Sequence, residues 1–263
     1  MAMKICMIGN SHIGALKLGW KQIRHSHRHE VSFLGVPGVQ VRNLAVEQGT
    51  VVPTSDGARR YFEKTLGAES IELDRYDAVV LVGCGLNLVG ALGVTSRWRP
   101  YTLVDETARD SQTQFDLVSD RLFAEVLSSK VRRSFANKFA TKVARQGATR
   151  VLYVTTPLPS SEIRLKPQED PVLGLVAGAH GPAVASLYRN AVEKVMGREK
   201  VVFPPADVLV DGAMTDMRYS RGSLRLDGKR EHPDDDLNHM NADYGAVVLD
   251  VVFSRLAAAA GAR

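Results

Sequence analysis

Residues 3–9, MKICMIG, form a nearly continuous apolar run, and the period then changes. Apolar positions recur at 13, 16, 20 and 23, the spacing of one helix face. The first run predicts a strand covered on both sides, and the second predicts a helix over 13–23. The same change of period repeats along the chain. Residues 30–36 (EVSFLGV) read as a strand, 57–66 as a weak helix behind a possible hairpin near 48–54, and 76–83 (YDAVVLVG) as a buried strand. Phe115, Val118, Leu122, Val126, Val131, Phe135, Phe139 and Val143 follow a three-to-four spacing. That stripe predicts a long core-facing helix over 115–146, broken near 129. Strands are expected at 149–157 and 200–205, and helices at 183–197 and 241–260.

Alternating strands and helices imply a parallel sheet with helices on both faces. The expected fold is therefore three-layer α/β/α around about five mostly parallel strands. No internal repeat and no linker-like stretch divides the chain, so residues 1–263 read as one domain. The segments 95–114, 158–182 and 211–238 are left as long polar or Pro/Gly/Ser-rich loops, a length usually tied to function.

Composition narrows the class. Hydrophobic residues make up 44% and charged residues 24%, the mix of a soluble globular protein. The net charge of +5 is mild and dispersed. The densest basic cluster, residues 130–133 (KVRR), lies within a periodic helix and reads as a solvated face, so no nucleic-acid partner is expected. No apolar run approaches membrane-spanning length, and the first strand lies where a signal peptide would be. Cys6 and Cys84 sit in apolar surroundings and read as buried thiols. These features give a cytoplasmic expectation. His25, His27 and His29 read as solvated, since they run off a helix into a turn. Asp234, Asp235 and Asp236 lack a second acidic cluster, so no metal is expected, and no cofactor is expected because the nucleotide-binding motifs are incomplete.

In a doubly wound sheet the ligand lies beyond the carboxyl ends of the strands. Those ends carry Gly9-Asn10-Ser11-His12, Pro37-Gly38 and Gly83-Cys84-Gly85-Leu86-Asn87, while Asp236-Leu237-Asn238-His239 precedes the last helix. Each has a plain structural alternative. Ser11 is well placed to be an N-cap, and so is Asn87. The glycines suit turns, the aspartates suit a solvated run, and His239 suits a structural histidine. The Gly-Lys-Ser/Thr ending of a phosphate loop is missing after Gly14, and GCGLNLVG lacks the third glycine of a dinucleotide fingerprint. The first turn is also not a Gly-x-Ser-x-Gly elbow, because Ile13 follows His12.

Taken together, the four blocks resemble those of the SGNH (GDSL-type) hydrolases, a family named for Ser, Gly, Asn and His. Ser11 matches the first block, Gly38 the second, Gly85-x-Asn87 the third and Asp236-x-x-His239 the fourth. The matches span residues 9–239 in the family's order. Two positions depart from its pattern: Asn10 stands where the family usually has Asp, and Leu88 follows Asn87 where Asp is frequent.

The resemblance implies a flavodoxin-like sheet and a serine esterase. Ser11 would be the nucleophile, His239 its general base and Asp236 the carboxylate orienting the imidazole, with Asp235 the runner-up. The oxyanion would be met by backbone N–H groups of Ser11, Gly38 or Gly85 and by the Asn87 amide. Asn10 and His12 are candidate pocket residues, His12 with a surface role as its alternative. The expected substrate is a small-molecule or glycan ester, with an acetyl or other short acyl group. An O-acyltransferase using the same triad, with a sugar hydroxyl replacing water, is the second reading. A non-catalytic binding domain is the third.

Overall fold

The computed structural model of the protein describes residues 2–104, 115–147, 150–165, 170–233 and 235–261. Its centre is a sheet of five parallel strands: β1 (Lys4–Gly9), β2 (Glu30–Gly35), β3 (Ala78–Val82), β4 (Arg150–Val154) and β5 (Val201–Val202), in the order β2-β1-β3-β4-β5. That is a flavodoxin-like doubly wound order. The helices are α1 (Ile13–Ile23), α2 (Asp56–Leu66), α3 (Leu88–Leu92), α4 (Asp120–Arg133), α5 (Phe135–Gln146), α6 (Pro171–Ala177), α7 (Gly181–Met196) and α8 (Ala242–Gly261).

Strand alternation divides the core into two layers. Ile5 and Met7 of β1, with Ala78, Val80 and Val82 of β3, face α1 and α8. Cys6 and Ile8, with Val79 and Leu81, face the layer holding α2, α4, α5, α6 and α7. Both faces of each central strand are buried, which is why these strands read as continuous apolar runs. α1 and α8 pack backbone to backbone: a Cβ on Gly245 would collide with the Ala15 carbonyl, and one on Gly19 with the Ala246 nitrogen.

Most expected elements form. The hairpin near 48–54 joins Leu44–Glu47 to Thr50–Pro53 through Gln48 and Gly49, both left-handed as a tight hairpin turn requires. Other expectations are corrected. The long helix over 115–146 begins only at Asp120 and breaks at Ser134, whose hydroxyl accepts the Asn137 N–H and caps α5. Residues 116–118 instead pair as a short strand with 98–100. The buried stripe on α4 is Phe123, Leu127 and Val131: the expected Val131 is buried, but the expected Leu122 and Val126 lie one residue out of phase, and Leu122 is 52% exposed. The loop over 158–182 contains α6, begun by Asp170, which accepts the N–H groups of Val172 and Leu173, and by Pro171 at the first helical position. The strand expected at 200–205 is only two residues long.

His27 and His29 are not simply solvated. They are half-buried, each packing its ring 4.8 Å from that of Phe253 on α8. Cys6 and Cys84 are free and buried, and burial pushes both thiols up to about 12. No described helix is long and apolar enough to cross a membrane.

Candidate active site

Lateral pairing places Gly35, Gly9, Val82, Val154 and Val202 in one row at the carboxyl edge of the sheet. Strand order reverses between β1 and β3, where such sheets open a crevice. The turn after β1 enters that crevice. A Cβ on Gly9 would lie 2.5 Å from the Val82 carbonyl oxygen, so a glycine there lets the two strand ends close together. The Asn10 amide lies over Gly83 and accepts the N–H of His12 at 3.3 Å. Gly83 is left-handed (φ +66°), and a Cβ on it would meet Asn10 Oδ1 at 2.7 Å. Asn10 thus locks the first turn onto the third.

Ser11 is not the helix cap. The N-cap position of α1 falls on His12, and no side chain caps it. The Ser11 hydroxyl is instead 2.8 Å from His239 Nε2. On the other side of that ring, His239 Nδ1 is 2.7 Å from Asp236 Oδ2. A carboxylate only accepts, so Nδ1 carries the proton and Nε2 is left to accept from Ser11.

The loop before α8 is built to hold this arrangement. Asp236 Oδ1 accepts the N–H groups of Asn238 at 2.8 Å and His239 at 2.9 Å. The loop is fastened on both sides: the Ser160 N–H donates to the Leu237 carbonyl, and the Asn241 amide donates to the carbonyls of Arg218 and Arg221. Burial opposes the Asp236 charge, but the bonds from His239 and the two backbone N–H groups outweigh it and hold the carboxyl below its usual range. Asp235 is exposed and Asp234 lies outside the described residues.

Two further imidazoles enclose His239. His12 stacks at 4.8 Å between centroids with 20° between planes. His232 stacks at 3.8 Å and 9°, and its Nδ1 is 3.1 Å from Asp236 Oδ2. Burial, with help from His239, pushes His12 down to about 3, so its ring is neutral near pH 7. Burial and then His239 also lower His232. His12 is thus a pocket residue and not a surface one. His232 was not foreseen. Its signal is the spacing His232…Asp236…His239, which a loop can close on one carboxylate.

The oxyanion candidates divide. Asn87 is the N-cap of α3: its Oδ1 accepts the Gly90 N–H at 2.6 Å, which leaves Nδ2 as a donor. Asn87 lines a cavity of about 530 Å³ with His12, His239, Leu88, Val89 and Leu173. Gly38 and Gly85 are both left-handed (φ +59° and +78°) on the turns after β2 and β3, but line neither this cavity nor the one beside Ser11. That second cavity, about 480 Å³, is walled by Ser11, Pro37, His232 and His239. The structure thus joins Ser11, His239 and Asp236 by direct hydrogen bonds, and it places Asn87 with His239 on the wall of the first cavity, which Ser11 does not line.

His232, Asp236 and His239 place potential metal-ligand atoms within 4.8 Å of one another. In this arrangement those atoms are engaged with each other. No family model matches the chain, and no curated protein matches it in sequence.

Proposed function

We propose that the protein is a serine hydrolase of SGNH type that cleaves a short acyl ester. The observation that supports this most is the unbroken chain from Ser11 Oγ through His239 Nε2 and Nδ1 to Asp236 Oδ2, at 2.8 and 2.7 Å. As Ser11 attacks the ester carbonyl, His239 takes its proton, and Asp236 holds the tautomer and balances the imidazolium. The oxyanion is met by the backbone N–H of Ser11 and by Asn87 Nδ2, aided by the positive end of α1. Collapse returns the proton from His239 to the departing alkoxide and leaves an acyl-Ser11 ester. Water then attacks the acyl carbon while His239 takes its proton, and collapse breaks the Ser11 Oγ–acyl bond as His239 returns that proton to Oγ, so the acid departs and the free serine is restored.

Two measurements test this reading. The protein hydrolyses 4-nitrophenyl acetate, and a fluorophosphonate adds covalently to one serine, which peptide mass analysis places at Ser11. Labelling elsewhere, or no hydrolysis at all, sinks the proposal. Products formed with a sugar acceptor present separate hydrolysis from acyl transfer.

A further inference from the structure

The loop over 211–238 carries a tight hairpin whose role the triad does not explain. Leu224 pairs with Glu231, the Arg225 N–H donates to the Arg230 carbonyl at 2.7 Å, and the Gly228 N–H donates back to the Arg225 carbonyl at 2.7 Å. Asp227 is consumed inside the turn. Its Oδ1 accepts the N–H groups of Lys229 and Arg230, and its Oδ2 pairs with the Arg230 guanidinium at 2.9 and 3.0 Å. The hairpin is seated firmly. Leu226 rests on Gly35 at the end of β2, so closely that a Cβ there would lie 2.5 Å from a Leu226 methyl. Arg225 is therefore held at the wall of the cavity that contains Ser11.

The charges along that wall do not cancel. Asp236 is matched by its imidazoles, and Asp227 by Arg230. Lys64, presented by α2 beside Tyr61, has no ion pair among the described residues, and neither has Arg225. Arg225 is also one of the charges that lower His232, after burial and His239. The cavity on the other side of His239 carries no lysine or arginine: Leu88, Val89, Pro157, Pro159 and Leu173 share its wall with Asn87, Thr156, Asn238 and its one acid, Asp170.

We propose that the substrate is an ester bearing an anionic group, and that this group sits in the cavity between Lys64 and Arg225. The inference rests on the esterase reading and narrows it. Arg and Lys bind carboxylate and phosphate oxygens through charge-assisted hydrogen bonds, and Arg does so with two parallel N–H groups. The uncharged remainder of the substrate, acyl or alcohol, faces the cavity on the other side of His239, which offers no cation. At about 480 Å³ the cationic cavity has room for a group of monosaccharide size.

The test compares matched esters. 3-Carboxy-4-nitrophenyl acetate carries a carboxylate on the alcohol side, and 4-nitrophenyl hydrogen succinate carries one on the acyl side. Each is set against 4-nitrophenyl acetate. One anionic ester has kcat/KM about tenfold or more above the neutral one. That ratio falls as salt is raised, because both cations are exposed. It is lost in Arg225→Gln and only partly kept in Arg225→Lys, which retains the charge but not the paired N–H groups. Equal values for all three esters overturn the proposal. A readout independent of turnover is binding of the same esters to Ser11→Ala by calorimetry. Tighter binding of an anionic ester there, with no ester hydrolysed by the unmodified protein, keeps the anion site between Lys64 and Arg225 and removes the esterase reading. Equal binding of all three removes this one.

Discussion

The rings of His232 and His239 lie parallel, 3.8 Å apart between centroids, and both direct Nδ1 at the same oxygen of Asp236. His232 thereby braces the candidate base twice, by covering its face and by tethering the carboxylate that orients it. The two contributions separate by substitution. His232→Phe keeps a flat ring but loses the N–H, whereas His232→Gln keeps a donor and loses the stack. One hydrogen bond to a charged group corresponds to a turnover loss of about tenfold or somewhat more. We expect kcat for 4-nitrophenyl acetate to fall by that amount in His232→Phe and by less in His232→Gln. Equal rates for both variants and the unmodified protein would show that the shared carboxylate does not matter.

Ser11→Ala is expected to abolish ester hydrolysis without loss of stability. The hydroxyl does not cap α1, so the usual cost of about 0.5–2 kcal/mol for deleting a cap does not apply. Its partner in the structure is His239. Thermal unfolding and hydrolysis of 4-nitrophenyl acetate are measured together. A variant with normal turnover would place the nucleophile elsewhere.

The first turn was legible because its neighbours are local: a buried strand, Gly9, and a helix whose period begins at Ile13. Asp236 and His239 were legible because three residues in a loop suffice to join them. His232 was not, since seven residues separate it from His239 and only the folded loop stacks the two rings. The cavity wall made by Lys64 and Arg225 brings together α2 and a distant hairpin, and no spacing encodes that contact. Leu122 and Val126 were misphased because the spacing was carried on from Val118, which lies in a short strand before the helix begins at Asp120, and the break was misplaced because the apolar pattern runs smoothly from Val131 to Phe135 across Ser134. The start of α6 was readable from Asp170-Pro171, a cap followed by the residue that suits the first helical position, but Gly174 and Gly178 masked it.

His12 makes the fold sensitive to acid. It titrates near about 6.5 in the unfolded chain and near about 3 in the fold, mainly because burial disfavours the charged ring. Between those values the unfolded chain binds the extra proton, so stability is complete above the upper value and is lost as pH falls towards the lower one. At about pH 5 the loss due to His12 amounts to about 2 kcal/mol. Urea unfolding at about pH 7.5 and pH 5 measures it. His12→Gln, which cannot take the proton, is expected to lose about 2 kcal/mol less than the unmodified protein over that interval. The same drop in both would mean that His12 is already solvated in the fold.

Asn87 has two amide ends with two separate tasks. Its Oδ1 caps α3 by accepting the Gly90 N–H at 2.6 Å. Its Nδ2 is the end proposed to meet the oxyanion. Asn87→Asp preserves an oxygen for the cap and replaces the donor by a second acceptor bearing charge. Aspartate caps a helix as well as asparagine does, so thermal stability stays near normal. The effect on chemistry is opposite in kind. Loss of an oxyanion donor lowers turnover by about a hundredfold or more, and a carboxylate beside the developing charge deepens that loss, while KM for a neutral ester changes little because the interaction forms only in the transition state. Asn87→Ala gives the complementary result: it loses both tasks, falling in stability by about 0.5–2 kcal/mol as well as in turnover. Near-normal kcat in Asn87→Asp would leave Asn87 as a helix cap alone and transfer the oxyanion to backbone donors.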